Sequence, residues 1–207
     1  MTVADHPAPD SRLVLDGDAQ ELLFSSARTA NSFSDEPVED ATLRSIWELT
    51  KWGPTSMNSN PLRVLYVRTA EGRERLLPHL SEGNRAKTAS APVTAVLAAD
   101  SRFHEHMPTL LPHKEGLRER LDADDAGREP MWRLNAAMQA GYFILGVRAA
   151  GLAAGPMGGF DKHGVDAEFF GGTAWRSILT VNIGHPGESP WFDRLPRHEY
   201  ETVVDLI

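Results

Sequence analysis

Two periods of hydrophobicity alternate along the 207-residue chain, and each change of period marks a change of element. Residues 39–52 (EDATLRSIWELTKW) repeat every 3.6 residues. Leu43, Ile46, Trp47 and Thr50 share a face, Glu39 and Asp40 sit where the helix dipole favours anions, and Gly53 ends the helix. A shorter helix is predicted over 18–26, capped by Asp16 or Asp18, and another over about 71–79. Continuous apolar runs at 62–69 (LRVLYVRT), 92–100 (PVTAVLAAD) and 174–184 (AWRSILTVNIG) predict buried strands. Residues 101–130 are polar and interrupted by Pro108, Pro112 and Pro130, which predicts short helices in a flexible excursion. The longest helix candidate is 131–151 (MWRLNAAMQAGYFILGVRAAG), with Gly151 as its C-cap. It is apolar or small almost all round, so it should be buried on most faces, at the centre of a core or in a dimer interface. Residues 152–171 (LAAGPMGGFDKHGVDAEFFG) read as a loop leading to a short helix, and the chain from Phe192 reads as an extended tail. Helices and strands mixed in this order predict an α+β fold.

One connection is unusually polar. WGPTSMNSNP (52–61) joins the amphipathic helix to the first strand and places Thr55, Ser56, Asn58, Ser59 and Asn60 between two prolines. Its ordinary reading is a turn. Its functional reading is a cradle of hydroxyl, amide and backbone groups for a polar ligand.

Composition narrows the chemistry. A chain of this length, 41% hydrophobic and 24% charged, suits one soluble globular domain. No apolar run approaches the roughly 18–20 residues of a membrane span. The start, MTVADHPAPDSR, has no basic region followed by an apolar stretch, so it reads as a mobile arm and not a secretory leader, and nothing argues against a cytoplasmic protein. A net charge of −8 disfavours nucleic acid as a partner. With no cysteine there is no disulfide, thiolate nucleophile or cysteine metal site. His104, His106 and His113 lack the spacing of a helical ligand pair, so no metal is expected. Ser56 lacks a nucleophile elbow, and neither a GxGxxG nor a phosphate-binding P-loop is present. GPMGGF (155–160) has the wrong spacing for a dinucleotide fold and reads as readily as a flexible turn. Taken singly, Lys87, Arg194 and Arg197 are most simply solvated charges.

Four separated stretches share one character: RTAN (28–31), PTSMNSN (54–60), GNRAK (83–87) and GPMGGF (155–160). Each offers small polar side chains, N–H groups near glycine, or a cation, and none is acidic. With Arg194 they suit a large polar ligand that is anionic at one end, such as a phosphorylated organic cofactor. In this order they resemble the flavin-dependent nitroreductase family, from about Arg28 to Arg194. The family's Pro-(Ser/Thr)-Ser-x-Asn-x-Gln-Pro-Trp turn reads here as Pro54 to Leu62, with Asn60 for Gln and Leu62 for Trp. Its basic-hydroxyl start reads Arg28-Thr29-Ala30-Asn31, its Asn-x-x-Lys reads Asn84 to Lys87, and its Pro-x-Glu-Gly-Phe loop reads Pro156-Met157-Gly158-Gly159-Phe160. Its Lys-x-Arg-Leu-Pro tail reads Phe192 to Pro196. The runs KWGPTSMNSNP, GNRAKTASAPVTAV, GPMGGFD and RLPR are most similar to the malonic semialdehyde reductase branch of pyrimidine breakdown.

The resemblance implies an α+β sandwich, a mixed sheet flanked by helices, in an obligate homodimer with FMN at the subunit interface. It implies a flexible arm over 1–15 and a single FMN-binding domain over 16–207. Pro54, Thr55, Ser56 and Asn58 would reach the flavin of the neighbouring subunit. Arg28 and Arg194 would hold the phosphate, with Arg197 a candidate for the tail Lys that is Phe192 here, and Thr29 would serve the ribityl chain or phosphate. Asn31, Asn84 and Lys87 would face the ring edge where the reduced flavin carries negative charge. Asn31 stands where the family usually has a cation, which implies a lower flavin potential. Pro156 and Met157 would lead to Gly158 and Gly159, whose N–H groups would serve flavin N5, so that Lys87, Gly158 and Gly159 are the catalytic candidates. The reaction would be ping-pong, from NADH or NADPH to a small acceptor such as malonic semialdehyde. The alternatives are a broad nitroaromatic or quinone reductase, and a flavin-binding protein without useful turnover. The 101–130 excursion, with Arg102, His113 and Lys114, is a candidate cover for the site.

Overall fold

The run Val93–Asp100 (β2) is buried at all eight positions, and the sheet is built around it. The structure, a computed structural model, describes residues 10–207. Strand β1 (Leu62–Val67) lies on one side of β2 and β4 (Trp175–Gly184) on the other, with β3 (Ala153–Met157) outside β4, giving the order β1-β2-β4-β3. Every pairing of these strands is antiparallel, which corrects the mixed sheet expected from the resemblance. Parallel neighbours need a crossover that carries the chain back to its starting end. Here β1 and β2 are joined through two helices, α3 (Ala70–Leu76) and α4 (Glu82–Ser90), and β3 and β4 through a short one, α8 (Lys162–Phe169). Neither link makes that return.

Successive side chains of β2 enter different layers, because Cβ atoms alternate across a strand. Val93, Ala95 and Leu97 join Leu43 and Ile46 of α2 (Asp40–Thr50) and Phe143 and Val147 of α7 (Asp125–Ala149). Val96 and Ala98 join Leu76, Leu80, Val165 and Phe170 on the opposite face. Burial on both sides is why this strand reads as continuous and not alternating. Helices α2 and α7 approach so closely that a Cβ on Gly146 would lie 3.0 Å from the Thr50 hydroxyl.

Helix α7 starts at Asp125, well before the predicted 131, and takes Pro130 into its second turn. Asp124 caps it by accepting the Gly127 N–H at 2.9 Å. At the sixth helical position Pro130 has no N–H for the Ala126 carbonyl, and the helix runs on with that one ladder bond missing. Within the single chain, Trp132, Asn135, Ala136, Gln139, Ala140, Phe143 and Val147 form a buried stripe, while Leu134, Met138 and Tyr142 face outward.

The excursion is packed, not flexible. A 3-10 turn over Phe103–His106 runs into α5 (Met107–Leu110), and α6 (Leu117–Asp122) follows. Phe103, Met107, Leu117 and Leu121 cluster with Ala99, Trp132 and Ala136. The buried His104 imidazole lies 2.9 Å from the Asp122 carboxylate, and this hydrogen bond holds the Asp122 carboxyl below its ordinary range.

Two elements escape the sequence reading. Strand β3 was expected as loop because AAGPM has no alternation, and α4 is polar and short. Of the arm expected over 1–15, residues 1–9 lie outside the described residues. Residues 10–15 are tied down, since the Gln20 side chain bonds Asp10 N, Asp10 O and Leu15 O. Helix α1 (Gly17–Gln20) is capped by Asp16 and continues as a π turn over Glu21–Ser25. The tail lacks regular structure until the single turn α9 (Tyr200–Val203). No helix among the described residues is long and apolar enough to cross a membrane.

Candidate active site

In a chain of net charge −8, one cleft of about 240 Å³ collects Arg28, Arg194 and Arg197 against a single carboxylate, Asp193, with Thr29, Asn31 and Phe192 also on its wall. The tail brings this about. Asn31 N–H donates to the Pro190 carbonyl at 2.9 Å, and the Arg28 guanidinium donates to the Phe192 carbonyl at 3.2 Å. Phe192, where the family has Lys, thus contributes its backbone. Arg194 donates to the Ser25 and Ala27 carbonyls, and its Nε is buried without an acceptor. None of the three guanidiniums has an ion-pair partner among the described residues. An orphaned guanidinium donor beside two further cations fits a phosphate. Arg197 bonds only the Leu195 and Pro196 carbonyls and stands exposed on the rim.

The strand that leads into the glycine loop touches the segment that walls this cleft. Ala30 N–H donates to Ala154 O of β3 at 3.1 Å, and a Cβ on Gly155 would meet the Ala30 carbonyl at 2.8 Å. Pro156 and Met157 close the strand, and the chain then turns through Gly158 and Gly159. Asn84 of α4 holds the turn, donating its amide to Gly159 O at 2.8 Å, and Ser81 N–H donates to the same oxygen. The two glycines differ. A Cβ on Gly159 would lie 2.9 Å from the Asn84 amide nitrogen, whereas one on Gly158 meets nothing within 4 Å. Gly158 therefore borders open space that a planar ring can enter. Lys87 is one helical turn beyond Asn84 and half-buried, and its ammonium makes no hydrogen bond or ion pair with another described residue. Asn31 lines the guanidinium cleft and donates its side-chain amide to Thr29 O at 3.2 Å.

Pro54, Thr55, Ser56 and Asn58 stand elsewhere. They lead into β1, while the glycine loop leaves β3, and these strands are the two edges of the sheet. Three interstrand steps of roughly 4.8 Å put the two strands about 14 Å apart. Three of the four polar stretches are therefore gathered by one chain and the fourth is not. Thr55 Oγ1 accepts the Asn60 N–H at 3.2 Å, and the Asn58 amide donates to Leu110 O of α5 at 2.9 Å, tying the loop to the excursion. Ser56 N–H donates to the Asn135 side chain of α7 at 2.6 Å. Asn135 and its neighbour Gln139 were missed by the sequence reading. Their only signal is two amides four residues apart on an apolar helix.

A larger cleft, of about 770 Å³, lies away from the guanidiniums. It runs along the edge of β1 between Trp47, Trp52, Tyr66 and Trp175, and it includes Asn60 but none of Pro54, Thr55, Ser56 and Asn58. Arg102, in the excursion expected as a cover for the site, is paired with Glu105. No group of three His, Asp or Glu side chains among the described residues is arranged to hold a metal ion.

The sequence profile of the Nitroreductase family matches residues 25–185. A Streptomyces coelicolor protein, provisionally named NADH dehydrogenase/NAD(P)H nitroreductase, is 60% identical over 188 residues, covering 91% of this chain and 93% of its own. Two solved structures share the fold at low identity. One, a nitroreductase from Exiguobacterium sibiricum in complex with FMN, has a TM-score of 0.78 at 16% identity, covering 92% of this chain and 97% of its own. The other, an NAD(P)H:FMN oxidoreductase from Staphylococcus epidermidis, has a TM-score of 0.78 at 18% identity, with coverage of 95% and 99%. The chain belongs to the nitroreductase family.

Proposed function

We propose that this protein is an FMN-dependent NAD(P)H oxidoreductase that works as a homodimer in the cytoplasm, where NAD(P)H is available. The observation that carries the reading is the convergence of Arg28, Arg194 and Arg197 on one cleft, whose Thr29–Asn31 wall is bonded through Ala30 to the strand that leads to Gly158. When bound, FMN accepts two electrons and a proton from NAD(P)H and passes them to a second substrate at the same ring face. The chain's own groups bind, orient and tune. Arg28 and Arg194 anchor the phosphate and Thr29 the adjoining oxygens, with Arg197 as a third cation on the rim. Gly158 and Gly159 present backbone N–H groups without a Cβ to hold the ring away. Lys87 supplies a cation, and Asn84 fixes the glycine turn relative to it. With Asn31 neutral, the charge favouring the reduced ring falls to Lys87 alone, so the potential should be low for the family.

The position of Pro54 to Asn58 at the opposite sheet edge supports a second copy that brings its own loop to this cofactor. The outward stripe of α7 supports it too: Leu134 is 64% and Tyr142 43% exposed, and Trp52 on the adjoining connection is 77% exposed. Apolar surface of this extent asks for a cover.

For the acceptor we propose a small 3-oxo acid such as malonic semialdehyde, reduced to 3-hydroxypropionate. The support is the similarity of KWGPTSMNSNP, GNRAKTASAPVTAV and GPMGGFD to that branch. A broad nitroaromatic or quinone reductase is the second reading, favoured by the names of the relatives. The test uses purified protein reconstituted with FMN under anaerobic conditions. NADH or NADPH should bleach the visible flavin bands, and malonic semialdehyde should restore them faster than a nitroaromatic does. Faster reoxidation by the nitroaromatic selects the second reading. Bands untouched by either nicotinamide leave a flavin-binding protein without turnover, and colourless monomeric protein that takes up no FMN ends the proposal.

A further inference from the structure

The loop before β1 holds three non-glycine residues in left-handed backbone: Met57 at φ 52°, Asn58 at φ 51° and Asn60 at φ 42°. Asparagine tolerates this region, and methionine seldom enters it. Such a backbone persists where its surroundings over-determine it. Here those surroundings are two fully buried amides of α7. Asn135 accepts the Ser56 N–H on Oδ1 at 2.6 Å and donates Nδ2 to its own helix, at Met131 O, 2.7 Å away. One turn on, Gln139 accepts the Leu62 N–H on Oε1 at 3.0 Å and donates Nε2 to Asn60 Oδ1 at 3.2 Å. The rest of this stripe is apolar or small. Buried amides are costly unless every polar atom is matched, and these two find their partners in the loop and in their own helix.

We propose that Asn135 and Gln139 are positioning residues for the cofactor site, a two-point clamp on α7 that sets where residues 54–58 stand. The inference rests on the FMN reading above. It has a chemical consequence. With the Ser56 N–H turned inward to Asn135, that donor is withheld from a ligand, while Thr55 Oγ1 accepts from Asn60 N and the hydroxyl protons of Thr55 and Ser56 remain free to be offered. The clamp therefore decides which atoms of the loop meet the ligand as well as how far they reach.

Asn135→Leu fills the same space and removes the acceptor. The Ser56 amide should then exchange with solvent at least about tenfold faster, the Kd for FMN, read by quenching of flavin fluorescence, should rise roughly 10- to 100-fold, and the visible bands of the bound flavin should shift. Asn135→Asp keeps the acceptor and should return the Kd and the band positions toward wild type, a rescue that loss of packing alone would not give. Gln139→Leu, which frees the far end of the loop, is the second variant if Asn135→Leu does not fold, and it should weaken FMN in the same way. A folded variant of either residue with wild-type Kd and wild-type spectrum overturns the clamp. Wild-type protein that takes up no FMN overturns the reading beneath it instead.

Discussion

Asn182 of β4 donates its side-chain amide to the hydroxyl of Thr88 on α4 at 3.1 Å, with both residues fully buried. Thr94 of β2 donates to the other end of the same amide at 2.8 Å, and the Met157 sulfur lies 3.8 Å from both Thr88 Oγ1 and Asn182 Nδ2. The helix that carries Asn84 and Lys87 is thereby bolted to three strands. Thr88→Val keeps the shape and deletes the hydroxyl, leaving the Asn182 donor with a weak sulfur acceptor. The expected cost is roughly 1–3 kcal/mol, which lowers the melting temperature by about 2–4 °C per kcal/mol in a domain of this size. Thermal unfolding of the cofactor-free protein reads this directly, and an unchanged melting temperature would remove the bolt from the account.

Arg28 and Arg194 should separate in a second experiment. Each is expected to contribute about 1.5–3 kcal/mol to holding a phosphate, so alanine at either should weaken FMN roughly 10- to 100-fold. Riboflavin, which has no phosphate, should bind each variant as it binds wild type. Arg194 also ties down the Ser25 and Ala27 carbonyls, so Arg194→Ala should lower the melting temperature more than Arg28→Ala. Equal losses for FMN and riboflavin would show that neither arginine reads the phosphate.

The core strands were legible because burial on both faces leaves an uninterrupted apolar run, as at 93–100. The helix at 40–50 was legible because its period and its Gly53 stop agree. The gathering of 28–31, 84–87 and 156–159 was legible only through motif order, since no local rule says that Ala30 will pair with Ala154. What failed did so for identifiable reasons. AAGPM is too short and too small to show a strand's alternation, and Pro130 was read as a breaker although the Asp124 cap starts the helix six residues earlier. The excursion was read by its charges, when the pairs Phe103/Met107 and Leu117/Leu121 already had helical spacing. Asn135 and Gln139 were invisible because a buried amide differs from a surface one only by the partners it finds.

The two loop glycines should respond differently to the same change. Gly158→Ala adds a methyl group that meets nothing within 4 Å, so the cofactor-free protein should melt as wild type does. The methyl enters the space assigned to the ring, so FMN should bind more weakly. Gly159→Ala sets a Cβ 2.9 Å from the Asn84 amide nitrogen and 3.1 Å from Ser81 Oγ, displacing the hydrogen bond that holds the turn. Its melting temperature should fall before any cofactor is added. Paired melting curves and FMN titrations of the two variants check the contrast, and wild-type FMN affinity in Gly158→Ala would place the ring elsewhere.

Tyr66 sets a pH limit. Its ring lies 6.3 Å from that of Phe143 in the layer between β1 and α7, and burial pushes its phenol up from 10.0 to about 12. Below pH 10 the phenol is protonated in the folded and unfolded chains alike, so it adds no pH dependence. Between pH 10 and about 12 the unfolded chain gives up the proton while the folded chain keeps it. The folded state then binds more protons, and stability must fall as pH rises. Tyr66→Phe removes this titration and little else, so denaturant unfolding of the two proteins should show a gap that widens in favour of the variant across that window. Other groups that ionise there act on both proteins and cancel in the comparison. Parallel curves would mean that the phenol ionises in the folded chain as it does in water, and that β1 leaves it open to solvent.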